Sequence, residues 1–364
     1  MSAFVQALIL MVFSATLLCF VRSAPQVPCY FVFGDSSMDN GNNNHLVTTA
    51  KANYPPYGID FPDGTTGRFS NGRNTADVVA QLLGFENSIP PFATARREEI
   101  VRGVNYASGA AGIRDETAEH MGGRICMNRQ LTNHAITILR LVNLIGNGSL
   151  ATVRQHLNKC IYTVAMGNND YINNYFYSKY YQTSILYTPE QYAKILIKQY
   201  SKQLSKLYKY GARKFGIPGA GYIGCTPAMM KRFNTNTCVD AVNGAIIQFN
   251  AKLVTALGDL ESKLSGSKFI FIDPPRGYSS EDRRKSTRII YYHQERDCWS
   301  GIEKGLNGNV FKYETRHLRL VLLIPDYHEF GNNVSFVRIG KCRYCVCVCV
   351  LSLNPQLQTP DIDF

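Results

Sequence analysis

The sequence predicts an α/β fold, a parallel sheet with helices on both faces, and three observations carry that reading. Short apolar runs rich in β-branched and aromatic residues alternate with longer stretches of helical periodicity. Those helical stretches carry their own start and stop signals. Polar, glycine-containing motifs follow the first three apolar runs, where an open sheet of this kind binds ligands, at the carboxyl ends of its strands.

In chain order, Tyr30 to Phe33 reads as the first strand, Val101 to Tyr106 as the second and Cys160 to Ala165 as the third. Lys214 to Ile217 and Lys268 to Ile272 are the fourth and fifth. Thr75 to Leu83 is apolar on one face, with Asn74 as its cap. Thr188-Pro189-Glu190-Gln191 has the form of a capping box with proline in the first turn. Tyr192, Leu196, Tyr200 and Leu204 then recur along one helix face, and Gly211 ends it. A last helix runs from about Ala241 to Leu264.

With 45% hydrophobic and 18% charged residues in 364, the chain has a globular composition. Its formal charge is +12, yet the basic residues are scattered and no cluster is interleaved with aromatics. That argues against nucleic acid as a partner. Phe4 to Val21 is almost wholly apolar, followed by Arg22 and small residues, with Val21 and Ser23 suited to cleavage after Ser23. Residues 1–23 therefore read as a signal peptide and the mature chain as secreted, with no integral membrane domain; an uncleaved anchor is the competing reading. Export permits disulfides. Cys225 and Cys238 bracket a proline-containing loop and are candidates for a local pair. Cys126 and Cys160 either pair or stay buried as small hydrophobes. Asn147 and Asn333 each begin an Asn-x-Ser glycosylation acceptor.

The three strand-end motifs suggest one chemistry. Ser36, in Gly34-Asp35-Ser36, sits at a strand-to-helix turn, where its hydroxyl is exposed and its own N–H is a donor. A glycine in Asn105 to Gly112 offers a second backbone N–H, and an asparagine in Gly167-Asn168-Asn169-Asp170 a side-chain N–H. Together they make an oxyanion hole around a serine nucleophile, as ester hydrolysis requires. Any one motif alone is an ordinary polar loop. Three in order on strand ends are not.

These motifs resemble the plant GDSL-type esterase/lipase family of the SGNH hydrolase superfamily. FGDSSMDNGNNN resembles its first block, with Ser37 where the family has leucine, and YPPYGIDFPDGTTGRFSNGRNTADVVAQLLGF is the most specific match. GVNYASGAAGIRDET, AMGNNDYINNYF and GIPGAGYIGCTP resemble later blocks, so the likeness covers about Cys29 to Asp273. The resemblance implies a flavodoxin-like three-layer α/β/α sandwich. It also implies hydrolysis of carboxylic esters of small molecules, lipids or acetylated carbohydrates, with no cofactor. Ser36 matches the nucleophile and first oxyanion donor, and Asn169 the asparagine donor. Gly112 is the preferred second donor, with Gly109 as the alternative.

Family members also carry an Asp-x-x-His pair near the C-terminus, the general base and its orienting carboxylate. None of the seven histidines here has an aspartate three residues before it. Asp326 and His328 come closest, one residue short. The region after Asp273 is unlike the family and contains the alternating Cys-Val run CVCVCV. Cys342 and Cys345 have the spacing of half a zinc knuckle, but no second pair of that spacing completes four ligands. Residues 24–273 thus read as an incomplete hydrolase domain, and 274–364 as a non-family tail of the kind intron read-through produces. The alternative function is a catalytically impaired member lacking its base.

Overall fold

The computed structural model describes residues 24–274, 336–342 and 345–351. Strands β1 (Tyr30–Gly34), β2 (Ile161–Ala165), β3 (Lys214–Pro218) and β4 (Lys268–Asp273) lie side by side in that order, all parallel. β5 (Phe336–Cys342) pairs with β4 through Ile272↔Val337 and Asp273↔Arg338, and β6 (Cys345–Leu351) returns antiparallel to β5.

On the free side of β1 the predicted second strand is displaced. Glu99–Arg102 is a helical turn, and Gly103, at φ 129°, redirects the chain. A Cβ at that glycine would run into the Tyr30 carbonyl, so the close crossing requires glycine. Residues 104–108 then run alongside β1. Val32 N–H donates to Val104 C=O at 3.1 Å, Tyr106 N–H to Val32 C=O at 2.7 Å, and Ser108 N–H to Gly34 C=O at 3.1 Å. Counting this segment second in the chain, the spatial order is 2-1-3-4-5, the doubly wound order of flavodoxin-like sheets.

The long helices are α1 (Thr75–Leu82), α2 (Met127–Leu144), α3 (Leu150–Leu157), α4 (Pro189–Tyr210) and α5 (Asp240–Lys263). Asn74 and Asp77 cap α1 reciprocally, and Thr188 and Gln191 do the same for α4, which Gly211 closes at φ 119°. Alternation along β1 sorts the two faces. Phe31 and Phe33 point into a large cluster with Leu131, Leu157, Leu196, Leu204, Phe249 and Leu257, contributed by α2 to α5. Tyr30 and Val32 point the other way, against Ala76 and Ala80 of α1. This second cluster reaches β1 and β2 but includes no residue of β3 or β4, and Ile270 on that side is 43% exposed.

Helices α2 and α3 have no counterpart in the sequence reading. The inward face of α2 is built from Gln130, Asn133, His134 and Thr137 as well as Leu131, Ile138 and Leu141. Its burial follows the helical period, and half of its buried residues are polar.

Cysteine pairing differs from the expected choice. Cys160 joins Cys29, 131 residues earlier, at the amino ends of β2 and β1, and Cys126, half-buried, has no disulfide partner among the described residues. Register explains the partner: Ile161 N–H donates to Cys29 C=O, which sets the two cysteines side by side. A second disulfide joins Cys225 and Cys238. No helix among the described residues is long and apolar enough to cross a membrane.

Candidate active site

Gly34 and Ala165 are register partners in β1 and β2, and Ser108 bonds to Gly34 from the other side. Ser36, Gly109 and Asn169 therefore leave three neighbouring segments at one carboxyl edge of the sheet. Ser36 is half-buried in a turn closed by Met38 N–H and Asp39 N–H, each donating to the Asp35 carbonyl at 3.1 Å. The turn does not continue into a helix, contrary to the expectation at this position. The Asp39 carboxylate instead takes the Gly41 and Asn42 N–H groups at 2.7 Å each, and this local competition diverts the chain.

The glycine- and asparagine-rich tract after Ser36 is buried scaffolding. Asn42 Nδ2 donates to the carbonyls of Asn105 (2.9 Å) and Ala107 (2.7 Å), and its Oδ1 accepts the Ala93 N–H. Asn43 Nδ2 donates to Ala50 and Gly109 carbonyls, while the Ser108 hydroxyl donates to Asn43 Oδ1 at 2.5 Å. Each amide thus binds the Ser36 turn to the loop over residues 103–117, the second-block loop. Composition alone marks these residues as loop formers and gives no sign of their burial.

Of the two candidate glycines, Gly109 donates its N–H to Asp39 Oδ2 at 2.9 Å. Gly112 accepts from Met127 N–H at 3.1 Å, and its own N–H meets no acceptor among the described residues. A Cβ on Gly112 would come within 2.8 Å of Asp170 Oδ1 and 2.6 Å of Thr117.

Asn169, 2% exposed, follows Gly167, which takes φ 127°. Its Nδ2 donates to Ala111 C=O at 3.0 Å and its Oδ1 accepts from Asn173 at 2.8 Å, leaving a second amide hydrogen for another acceptor. Asp170 holds the second-block loop, accepting Ile113 N–H (2.8 Å), Arg114 N–H (3.0 Å) and the Thr117 hydroxyl (2.8 Å). Burial pushes its carboxyl up to about 6 against the pull of those donors. Asp39 behaves alike, raised by burial to about 6 while backbone N–H groups oppose the shift.

Three of the four described histidines are engaged by other groups. His156 lies at the amino ends of the strands, its Nε2 at 3.2 Å from Cys29 Sγ and 3.1 Å from the Val101 carbonyl. His134 is wholly buried among Phe31, Phe33, Tyr106 and Tyr162, with Nδ1 at 3.1 Å from the Tyr106 hydroxyl. Burial lowers its pKa to about 3. His120 packs against Tyr177, Tyr180 and Tyr181, its Nδ1 at 3.0 Å from the Tyr181 hydroxyl; burial, then Arg232 and Arg124, lower its pKa. His45 is exposed. Asp326, His328 and Asn333 lie outside the described residues, and Cys342 and Cys345 are described in backbone only.

A family model for the GDSL-like lipase/acylhydrolases matches residues 30–303, extending past Asp273. Three Arabidopsis thaliana proteins named GDSL esterase/lipases are similar to the chain. One is 48% identical over 262 residues, 71% of this chain and 72% of the relative. A second is 50% identical over 255 residues, 70% and 69% of the two chains. A third is 48% identical over 251 residues, 68% and 69%.

Proposed function

Since this chain belongs to the GDSL-like lipase/acylhydrolase family of carboxylic ester hydrolases, we propose that it cleaves such esters through an acyl-enzyme on Ser36. Ser36 Oγ adds to the ester carbonyl carbon, the carbonyl oxygen takes up negative charge, and collapse of the adduct expels the alcohol. Water then hydrolyses the acyl-serine. The oxyanion is met by the Ser36 N–H, the second amide hydrogen of Asn169 and a backbone N–H of the 105–112 loop. Gly112 is that last donor by virtue of its uncommitted N–H; Gly109 is the alternative by register. Substrates are esters of small molecules, lipids or acetylated carbohydrates. The reading includes export after removal of residues 1–23, a hydrolase domain over 24–273 with a tail over 274–364, and glycosylation at Asn147, which is exposed in the turn before α3. Asn333 is a second acceptor.

The observation that carries the proposal is the meeting of the three motifs around Gly34, each fixed by buried hydrogen bonds. One feature favours an impaired member as the second reading: the sequence has no Asp-x-x-His. A serine site with its oxyanion hole but no base keeps about 10³–10⁴-fold acceleration over water. The deciding experiment follows release of chromophore from a short-chain chromogenic ester by the purified chain, beside Ser36→Ala. Ser36-dependent turnover at ordinary esterase rates supports the hydrolase and means the tail supplies a base, with Asp326 and His328 the first pair to replace. Equal, residual rates in both proteins support the impaired reading.

A further inference from the structure

The bonding between β1 and residues 104–108 contains one substitution. After Val32 N–H to Val104 C=O and Tyr106 N–H to Val32 C=O, a continuing parallel ladder would take the Gly34 N–H to the Tyr106 carbonyl. It goes instead to Gln130 Oε1, at 3.0 Å. Gln130 Nε2 turns back to the Gly34 carbonyl at 2.8 Å and donates its other hydrogen to the Ile125 carbonyl at 2.8 Å. The side chain is completely buried. Both hydrogens and the oxygen are matched, so the amide has only one satisfied orientation.

We propose that Gln130 is a positioning residue for the nucleophile: its carboxamide replaces a peptide unit of the missing rung and so fixes Gly34, two residues before Ser36. The role rests on the reading of Ser36 as nucleophile. The same short segment of α2 and its approach also holds the second-block loop. Ile125 N–H donates to Ser108 Oγ at 3.0 Å, and Met127 N–H to the Gly112 carbonyl at 3.1 Å. Gly34 has no slack of its own, since a Cβ there would lie 3.0 Å from Met38 and 3.1 Å from the Ala165 carbonyl. Gln130 touches no reacting atom; it sets the spacing between the nucleophile turn and the loop that supplies the backbone donor.

The test compares the full chain with Gln130→Met, which keeps length and loses all three bonds, and Gln130→Glu, which keeps an acceptor and loses both donors. Amide hydrogen exchange is followed over residues 34–39 by mass spectrometry, beside kcat, KM and Tm. We expect exchange in that segment to rise about tenfold or more in Gln130→Met while peptides from β3 and α5 are unchanged, as local opening requires. We expect kcat to fall by up to about 10²-fold with KM within about twofold, the signature of lost alignment. Unchanged exchange at 34–39 in both variants overturns the proposal, as does a loss that merely tracks the unfolded fraction given by Tm. If the unaltered chain has no Ser36-dependent turnover, the esterase reading fails, and the exchange comparison still decides whether Gln130 holds the turn.

Discussion

Arg68 and Asp77 form a two-point ion pair inside the protein, with Nε to Oδ2 at 2.7 Å and Nη2 to Oδ1 at 2.8 Å. Asp77 also accepts the Asn74 N–H at 2.9 Å, so the pair is joined to the cap of α1, and the guanidinium lies 4.3 Å over the Phe61 ring. Both side chains are almost fully buried.

Arg68→Met leaves the Asp77 carboxylate buried without its partner and is expected to lower stability by about 3–5 kcal/mol. Replacing both residues by apolar ones removes the stranded charge and recovers part of that loss. Urea unfolding of the single and double variants checks this, and a double variant worse than the sum of the singles would count against it.

His134 makes stability depend on acid. Its native pKa, about 3, lies below the ordinary 6.5, so between these values the unfolded chain binds a proton that the native one refuses. The contribution is complete above 6.5 and is lost as pH falls towards 3. Asp39 and Asp170 act oppositely, because carboxyls raised from 3.8 to about 6 make the native state bind protons first and gain stability as pH falls through that range. His134→Leu should therefore gain on the parent by roughly 1.4 kcal/mol per pH unit below 6.5. Parallel stability curves for the two proteins would refute this.

The disulfide assignment predicts a peptide map. Digestion without reductant should yield Cys29 linked to Cys160, Cys225 linked to Cys238, and an unlinked Cys126. Burial, then a bond to Asp115, pushes the Cys126 thiol up to about 11, so alkylation near neutral pH should be slow until the protein is denatured. Cys29→Ala with Cys160→Ala should cost about 2–5 kcal/mol, measured by thermal unfolding. A Cys126–Cys160 peptide would overturn the assignment.

Tyr162 carries a buried hydroxyl with no hydrogen-bond partner among the described residues. Tyr162→Phe removes a desolvated polar atom and keeps the ring against Phe31 and Phe215. It should raise stability by about 1 kcal/mol. A fall in Tm would mean the hydroxyl is satisfied in solution.

Where local chemistry decides conformation, the sequence was readable: the capping residues of α1 and α4, the glycine that ends α4 and four of the five predicted strands stand close to where their patterns put them. The second strand was misplaced because Val101, Val104 and Tyr106 favour a strand by type, yet the turn at Glu99–Arg102 and the bend at Gly103 move the extended segment to 104–108. α2 was missed because polar groups occupy half its buried face. The same cause hid Gln130, Asp39, Asn42 and Asn43 from the site. A buried amide announces itself largely through partners far along the chain, as with Gln130 and Gly34, 96 positions apart. The placing of Ser36 and Asn169 at one sheet edge needed no such information, since a motif at a strand end places itself.

The groups read here as nucleophile, oxyanion donors and their supports all fall between Gly34 and Asp170, in the first half of the chain. Within the family's arrangement the proton acceptor comes from the opposite end. In genetic terms the two halves are separable: a lesion confined to the 3′ part of the gene can remove the acceptor and leave the ester-holding half encoded intact. Such a gene would specify a protein that recognises esters without turning them over, and its earliest sign of decay would be a lost rate and not a lost ligand.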